Sequence, residues 1–287
     1  AQPLIGRRQA GGIVLDPVHM KLMAAAFPVA LANALVPPDA QASIAGGRLD
    51  GTLSVTGDMA QLAVAVEGQI TVRDGVLALG DQRMSGVDLT VEVAATATAA
   101  KVLTVDRVNI VLATAGREVV TLNGTGRYDP ETGGAVKAST IVDVPRLAAL
   151  LPASAAAGEM LASGALHGDV EATFGNGIWP VVCKGTLTAD PIILRNANGT
   201  ERSPWSGALG WAGHLTAQGA DMDTGTLSVV QDGRQLLSLA VTGHVPLPVT
   251  QGRTDLTVSS DAVMVDDLLA LTRDTPVEEP NESRRKG

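Results

Sequence analysis

Aromatic residues are scarce in this chain: three Trp, two Phe and one Tyr make up 2% of 287 residues. Modules that bind single-stranded nucleic acid or sugars stack them on aromatic faces, so those ligands would find little platform here. Positive charge is short too. Lys and Arg number 21 against 30 Asp and Glu, a net charge of −9, which argues against a phosphate-backbone partner such as nucleic acid. Cysteine occurs once, as Cys183, so no intrachain disulfide can form. In the apolar run Val181-Val182-Cys183 it reads as a small buried apolar group, and the scarcity of Cys fits an oxidising periplasm. Long hydrophobic runs are missing as well. The best window, Leu22 to Val36, is shorter than the ~20 residues a bilayer core requires and holds Pro28 and Asn33. The chain begins at Ala1 rather than Met, so it is expected to be a piece of a longer or processed protein whose targeting element lies elsewhere.

What is abundant is aliphatic. Apolar residues make up 45% of the chain and charged residues 18%, with mean hydropathy +0.21, which excludes general disorder. The stretch Gly47 to Leu79 recurs, degraded, from Gly164 to Leu194. Gly47, Gly51 and Gly68 correspond to Gly164, Gly168 and Gly185 at one offset, 117 residues (164 − 47, 168 − 51, 185 − 68). Gly116-Arg117 and Thr125-Gly126 correspond to Gly233-Arg234 and Thr242-Gly243 at the same offset (233 − 116, 242 − 125). The chain is therefore read as one β-rich unit used twice, the copies continuing one another.

Taken in order, residues 1–15 suggest an entering strand or arm. Asp16-Pro17 opens an expected helix, since Asp can cap free N–H groups and Pro suits a first turn. It would run to about Pro28, with a second piece to Val36, and pack Leu22, Met23, Phe27 and Leu31 against a sheet end. From Gly47 on, short strands alternate apolar and polar residues. Val87, Leu89, Val91 and Val93 alternate with Asp88, Thr90 and Glu92; Leu237, Leu239 and Val241 alternate with Ser238, Ala240 and Thr242. This period of two puts one set on each face of a sheet. Asp129 to Gly134 and Gly175-Asn176-Gly177 read as turns. Each copy is expected to end in a strand followed by a short Leu-rich helix, within 139–152 and 259–273. A helix of about two turns is unstable alone, so it must cover something apolar. The divisions are 1–46 (strand and helix), 47–152 (first copy), 153–273 (second copy) and 274–287 (disordered tail or linker).

Catalytic and metal signatures do not emerge. His19, His167, His214 and His244 are scattered, without the short spacing a metal site wants. Asp221-Met222-Asp223 and Asp266-Asp267 suit turns and caps better than a calcium loop. No G-x-S-x-G elbow or phosphate loop is present. Trp179, Trp205 and Trp211 cluster in the second copy and are expected to help close a wider part of the sheet. The chain is read as non-enzymatic, with no cofactor and no metal.

The strands Gly47-Arg48-Leu49-Asp50-Gly51, the unit Gly68 to Leu77 and the endings VDVPRLAALL and VMVDDLLAL resemble the AsmA-like and TamB-like proteins of the Gram-negative envelope, over residues 13–273. The resemblance implies a mostly β fold: a long curved antiparallel sheet, an open taco-like groove from two tandem repeats, with short helices at repeat boundaries. It further implies phospholipid transport between inner and outer membranes or outer-membrane biogenesis. The location would be periplasmic, with the parent chain anchored in the inner membrane through regions missing here. The expected partners are phospholipid acyl chains and the envelope membranes. The residues expected to line the groove are Val64, Val66, Ile70, Val72, Val87, Leu89, Val91, Ile110, Leu112, Leu237, Leu239, Val241, Leu256 and Val258. The competing expectation is a structural or adhesive β-repeat with a closed core and no lipid.

Overall fold

A computed structural model describes residues 6–9, 12–15, 18–28, 42–58, 62–79, 82–150, 160–177, 179–195, 201, 203–246 and 254–264. Two short strands, β1 (Gly6–Gln9) and β2 (Gly12–Leu15), form a separate hairpin. Everything else in strand conformation joins one open sheet. Its members in chain order are β3 (Val18–Pro28), β4 (Ala42–Asp58), β5 (Ala63–Leu79), β6 (Gln82–Ala97), β7 (Leu103–Thr114), β8 (Arg117–Asp129) and β9 (Gly133–Asp143). After the helix α1 (Val144–Leu150) come β10 (Met160–Ser163), β11 (Ala165–Phe174), β12 (Val181–Arg195), β13 (Trp205–Leu215), β14 (Gly219–Gln231), β15 (Arg234–Pro246) and β16 (Asp255–Val263).

The order in space is the order in sequence. From β3 to β16 each strand pairs antiparallel with the next, and only β10 lies off this path, beside β12. Thirteen strands at ~4.8 Å spacing carry the path across about 58 Å. The sheet is not closed into a barrel. Among the described residues no helix is long and apolar enough to cross a membrane, a statement about helices alone.

The helix expected over 16–28 is instead β3, an edge strand. In the sequence, the Asp16-Pro17 start and the spacing of Leu22, Met23 and Phe27 point to a helix. Yet Met20 and Leu22 alternate with His19 and Lys21, and pairing satisfies that alternation: Met20 faces Val55 and Leu22 faces Leu53, while His19 faces Thr56 and Lys21 faces Ser54. Ladder hydrogen bonds to β4 outweigh helix propensity, which is a weak prior. The expected continuation to Val36 and the tail 274–287 lie outside the described residues. The first ending is as expected: β9 runs to Asp143 and α1 follows at once. Asp143 caps α1, its Oδ1 accepting from the Arg146 N–H at 3.0 Å, and its other oxygen pairs with the Arg146 guanidinium at 2.8 Å. In the second ending, residues 259–263 are strand; from residue 265 onward the expected helix lies outside the described residues.

The repeat reappears in the backbone. The two-residue turns Ala115-Gly116 and Asp232-Gly233 both have positive φ at both positions (49° and 71°; 49° and 75°), the left-handed geometry that joins twisted strands tightly. Strand irregularities recur 117 residues apart. The register breaks between Val72 and Gly75 as between Ala189 and Ile192 (189 − 72), and between Val105 and Val108 as between Met222 and Gly225 (222 − 105). Even burial repeats: Val119 and Leu236, at 1% and 2% exposure, are equivalent positions. The copies meet where β9 pairs with β11. The first of them begins with β4 at Ala42, a few residues before Gly47.

Across that seam runs an ionic ladder. Glu171 on β11 stands opposite Lys137 on β9 and Lys184 on β12, with Nζ–Oε distances of 2.8 and 2.9 Å. The hydrogen bond from Lys137, then that from Lys184, holds the Glu171 carboxyl down from 4.5 to about 2. A depressed carboxylate adds stability above its unfolded pKa and loses it as pH falls through its folded one. All three side chains are well exposed, so solvent screening keeps the gain small. Accordingly, Glu171→Gln should lower the Tm slightly at pH 7, and the gap to the native chain should close between pH 4.5 and about 2. A gap constant across that window in thermal melts would show that the ladder contributes nothing.

Candidate ligand-binding face

Directly paired residues of an antiparallel sheet share a face, and successive residues alternate between faces. The register can therefore be followed across all thirteen strands. One row reads Leu22, Leu53, Gly68, Val93, Val108, Gly124, Ala138, Val170, Gly185, Trp211, Gly225, Val241 and Val258. No member is polar. Two residues along, the row through Ile70, Val91, Ile110, Leu122, Thr140, Leu187, Leu209, Leu227 and Leu239 is apolar apart from Thr140 and a terminal Ser260. The row between them, on the opposite face, reads Met23, Thr52, Gln69, Glu92, Asn109, Asn123, Ser139, Asp169, Thr186, Gly210, Thr226, Ala240 and Ser259. The sheet thus has one aliphatic face and one polar face, each continuous through both copies.

Alternation alone would not hold the faces over strands this long. Bulges insert an extra residue, and the sequence adjusts to them. On β7, Val108 and Ile110 face the apolar side. The register then breaks at Asp106-Arg107, and Val105 and Leu103 return to the apolar side although they have the opposite parity.

The fourteen residues singled out from the sequence all fall on this aliphatic face. Val66 pairs with Ala95, Val72 with Leu89, Ile70 with Val91, Ile110 with Val91 and Leu112 with Leu89; Val64 and Val87 lie two residues further along their strands. In the second copy Leu237, Leu239 and Val241 lie on β15, and Val241 faces Val258, with Leu256 two residues on. Strands β8 to β14 join the two groups, and the sequence reading left out their contribution: Leu122, Val142, Leu166, Val170, Leu187, Leu209, Trp211 and Leu227. The signal existed in Lys184-Gly185-Thr186-Leu187-Thr188-Ala189, where apolar and small residues alternate with polar ones, but glycine hid the apolar side.

The face is open. Among the described residues only Val87, Val119, Ile192 and Leu236 are buried hydrophobics, whereas Ile70 keeps 48% and Val258 59% of its surface exposed. At the β3–β6 end the face sinks into a cavity of about 270 Å³ walled by Leu22, Leu49, Leu53, Ile70, Val91 and Val93. Glycines make floor space for large neighbours. A Cβ on Gly185 would collide with the Trp211 ring, and one on Gly134 with the Phe174 ring. Tyr128 and Phe174 flank Gly134 in the next strands and stack at 6.2 Å, an aromatic rim at the seam between copies. Cys183 is half-buried, opposite Ala172 and Gly213 on the same face.

The polar face gathers histidines that are far apart in sequence. His214 and His244 flank Asp221 across three strands; His244 Nδ1 lies 2.7 Å and His214 Nε2 3.3 Å from its oxygens, and Asp223 stands 3.6 Å from His214. His167 pairs with Asp190 at 2.9 Å. Among the described residues no three His, Cys, Asp or Glu are disposed to hold a metal ion. Comparison with known proteins gives no match: no family model, curated protein or solved structure is similar to the chain.

An open face makes a quantitative prediction. Truncating a packed core Leu or Ile to Ala typically costs about 2–5 kcal/mol. Leu89→Ala, Ile110→Ala and Leu239→Ala should each cost less than about 2 kcal/mol in urea unfolding, because water already reaches these side chains. Leu236→Ala should fall within the packed range. Core-sized losses at Leu89, Ile110 and Leu239 would mean that something covers this face.

Proposed function

We propose that the aliphatic face is a trough for the acyl chains of phospholipids, and that the protein is a non-enzymatic segment of a lipid-carrying protein of the Gram-negative envelope, working in the periplasm. The observation that carries this reading is the unbroken apolar row across thirteen strands, left uncovered among the described residues. A sheet face this greasy is normally buried by a second sheet or by helices. Here the only described helix is the seven-residue α1 at the seam.

The chemistry of the face suits a sliding apolar ligand. It is lined by Val, Leu, Ile and Ala, has few polar atoms to fix one headgroup, and crosses about 58 Å, roughly twice the ~30 Å hydrocarbon core of a bilayer. Each buried methylene is worth about 0.8 kcal/mol. A tail of about fifteen methylenes, half covered, would gain on the order of 6 kcal/mol without any specific site. A closed-core structural repeat would instead bury these side chains against a facing layer, and the exposure of Ile70 and Val258 speaks against that.

Trp211 offers a direct test, because its ring lies on the apolar face over Gly185. With Trp179→Phe and Trp205→Phe leaving Trp211 as the one tryptophan, phospholipid vesicles carrying brominated acyl chains should quench its fluorescence, and native mass spectrometry of the purified chain should show bound phospholipid. The triple variant Leu89→Asp/Ile110→Asp/Leu239→Asp should lose both signals while keeping its β circular dichroism. The polar-face control Thr90→Asp/Thr121→Asp/Ser238→Asp should keep them. A folded native chain with no bound lipid and no quenching would defeat the reading.

A further inference from the structure

The strand edge at the end of the sheet carries an inference independent of the lipid reading. Strand β16 is the second copy's version of β9. The two pair with equivalent strands in equivalent register: Ala138 faces Gly124 as Val258 faces Val241, and Val136 faces Gly126 as Leu256 faces Gly243, with the partners 117 residues apart (241 − 124, 243 − 126). The outer edge of β9 is occupied. It pairs along its whole length with β11, the first full strand of the second copy. Among the described residues nothing pairs with the outer edge of β16, and all but one of its residues are exposed.

The two ends of the sheet are not alike. Proteins blunt free edges with lysines, prolines and bulges. Strand β3 has all three: Lys21, Pro28, and a bulge between Ala24 and Phe27 in which Ala26 takes a left-handed φ of 52°. Strand β16 has no Lys and no Pro; its two charges, Asp255 and Asp261, sit at its start and in its single bulge, and the run Leu256 to Ser260 between them is regular and uncharged. One edge is protected and the other is left fit to pair.

We propose that the outer edge of β16 is a docking site for the free first strand of a further six-stranded module of this type, in the register that β11 adopts on β9; β4 and β11 of a second copy of this chain are not the occupants, since β3, β9 and β12 already take their edges. The register follows from the equivalence. Gly168 faces Thr140 and Val170 faces Ala138 in the existing seam, so a β11-type strand would set its Gly168 position opposite Ser260 and its Val170 position opposite Val258. This alignment keeps the incoming apolar side on the aliphatic face, whereas a slip of one residue would turn it to the polar face. The seam's ionic ladder is not reproduced, because the position of Lys137 is Thr257 on β16. The docking therefore rests on backbone hydrogen bonds and apolar contact, and it is weakly dependent on salt.

The test uses the full chain with Cys183→Ser and a synthetic peptide of residues 163–175 carrying Gly168→Cys, in a thiol–disulfide buffer. The chain with Ser260→Cys should trap the peptide at least about tenfold more than the chain with Ser259→Cys, and more than it traps a scrambled peptide. Hydrogen exchange of the outward-facing β16 amides should slow when unmodified peptide is added and should be fast without it. Equal trapping at both positions, trapping no better than the scrambled peptide, β16 amides already protected in the free chain, or a β16-to-β16 disulfide dimer would each overturn the proposal. The lipid assays above are read separately, so either conclusion can fail alone.

Discussion

The ladder of backbone hydrogen bonds between sequence neighbours is what the rest of this structure depends on. A packed core does not hold the molecule together, since among the described residues only four hydrophobic side chains are buried. Each strand is instead held by the one before and the one after, through long runs of direct pairs such as the fifteen between β4 and β5. Such a chain behaves as a nearly one-dimensional stack, in which stability is set by neighbour-to-neighbour interfaces. It also folds through pairings that are close in sequence, because every strand after β3 on the path, except β11, joins the strand just before it.

That constraint explains why glycines and bulges recur at equivalent places. A ladder more than fifteen residues long must twist, and twist accumulates. The paired bulges at 117-residue intervals absorb it at the same points in each copy, and the left-handed turns return the chain without a long loop. Glycines on the aliphatic face do a second job. They let Trp211 and Phe174 lie flat over the neighbouring strand, so the face stays filled without a covering layer. The seam between copies gathers three local supports: α1 with its Asp143 cap, the Tyr128–Phe174 stack and the Glu171 ladder.

Much of this was legible in the residues, and the exceptions have physical causes. The two-fold repeat, the period of two in β5 to β7 and β15, and the strand-to-helix step at Asp143 follow from alternation and punctuation, which are local. Strand β3 reads as helix in the sequence because Asp16-Pro17 suits a helix start and its own alternation is short; only the free edge of β4 makes the extended form win. The aliphatic side of β11 to β14 was underread because Gly185, Gly207 and Gly225 occupy it, and a glycine carries no hydropathy to follow. The histidines looked unrelated, because nothing in sequence spacing shows that positions 214, 221 and 244 lie side by side on three strands.

By itself the sequence determined that this is a twice-used β unit with one apolar and one polar set of residues, because the two-residue period and the glycine offsets need no partner to be read. Only the tertiary structure decided that the apolar sets of thirteen strands join into one face, since that depends on register, and bulges reverse parity wherever they fall. It also decided that no described layer covers the face, because covering is a relation between elements far apart in the chain. Residue order alone does not contain the distance between them.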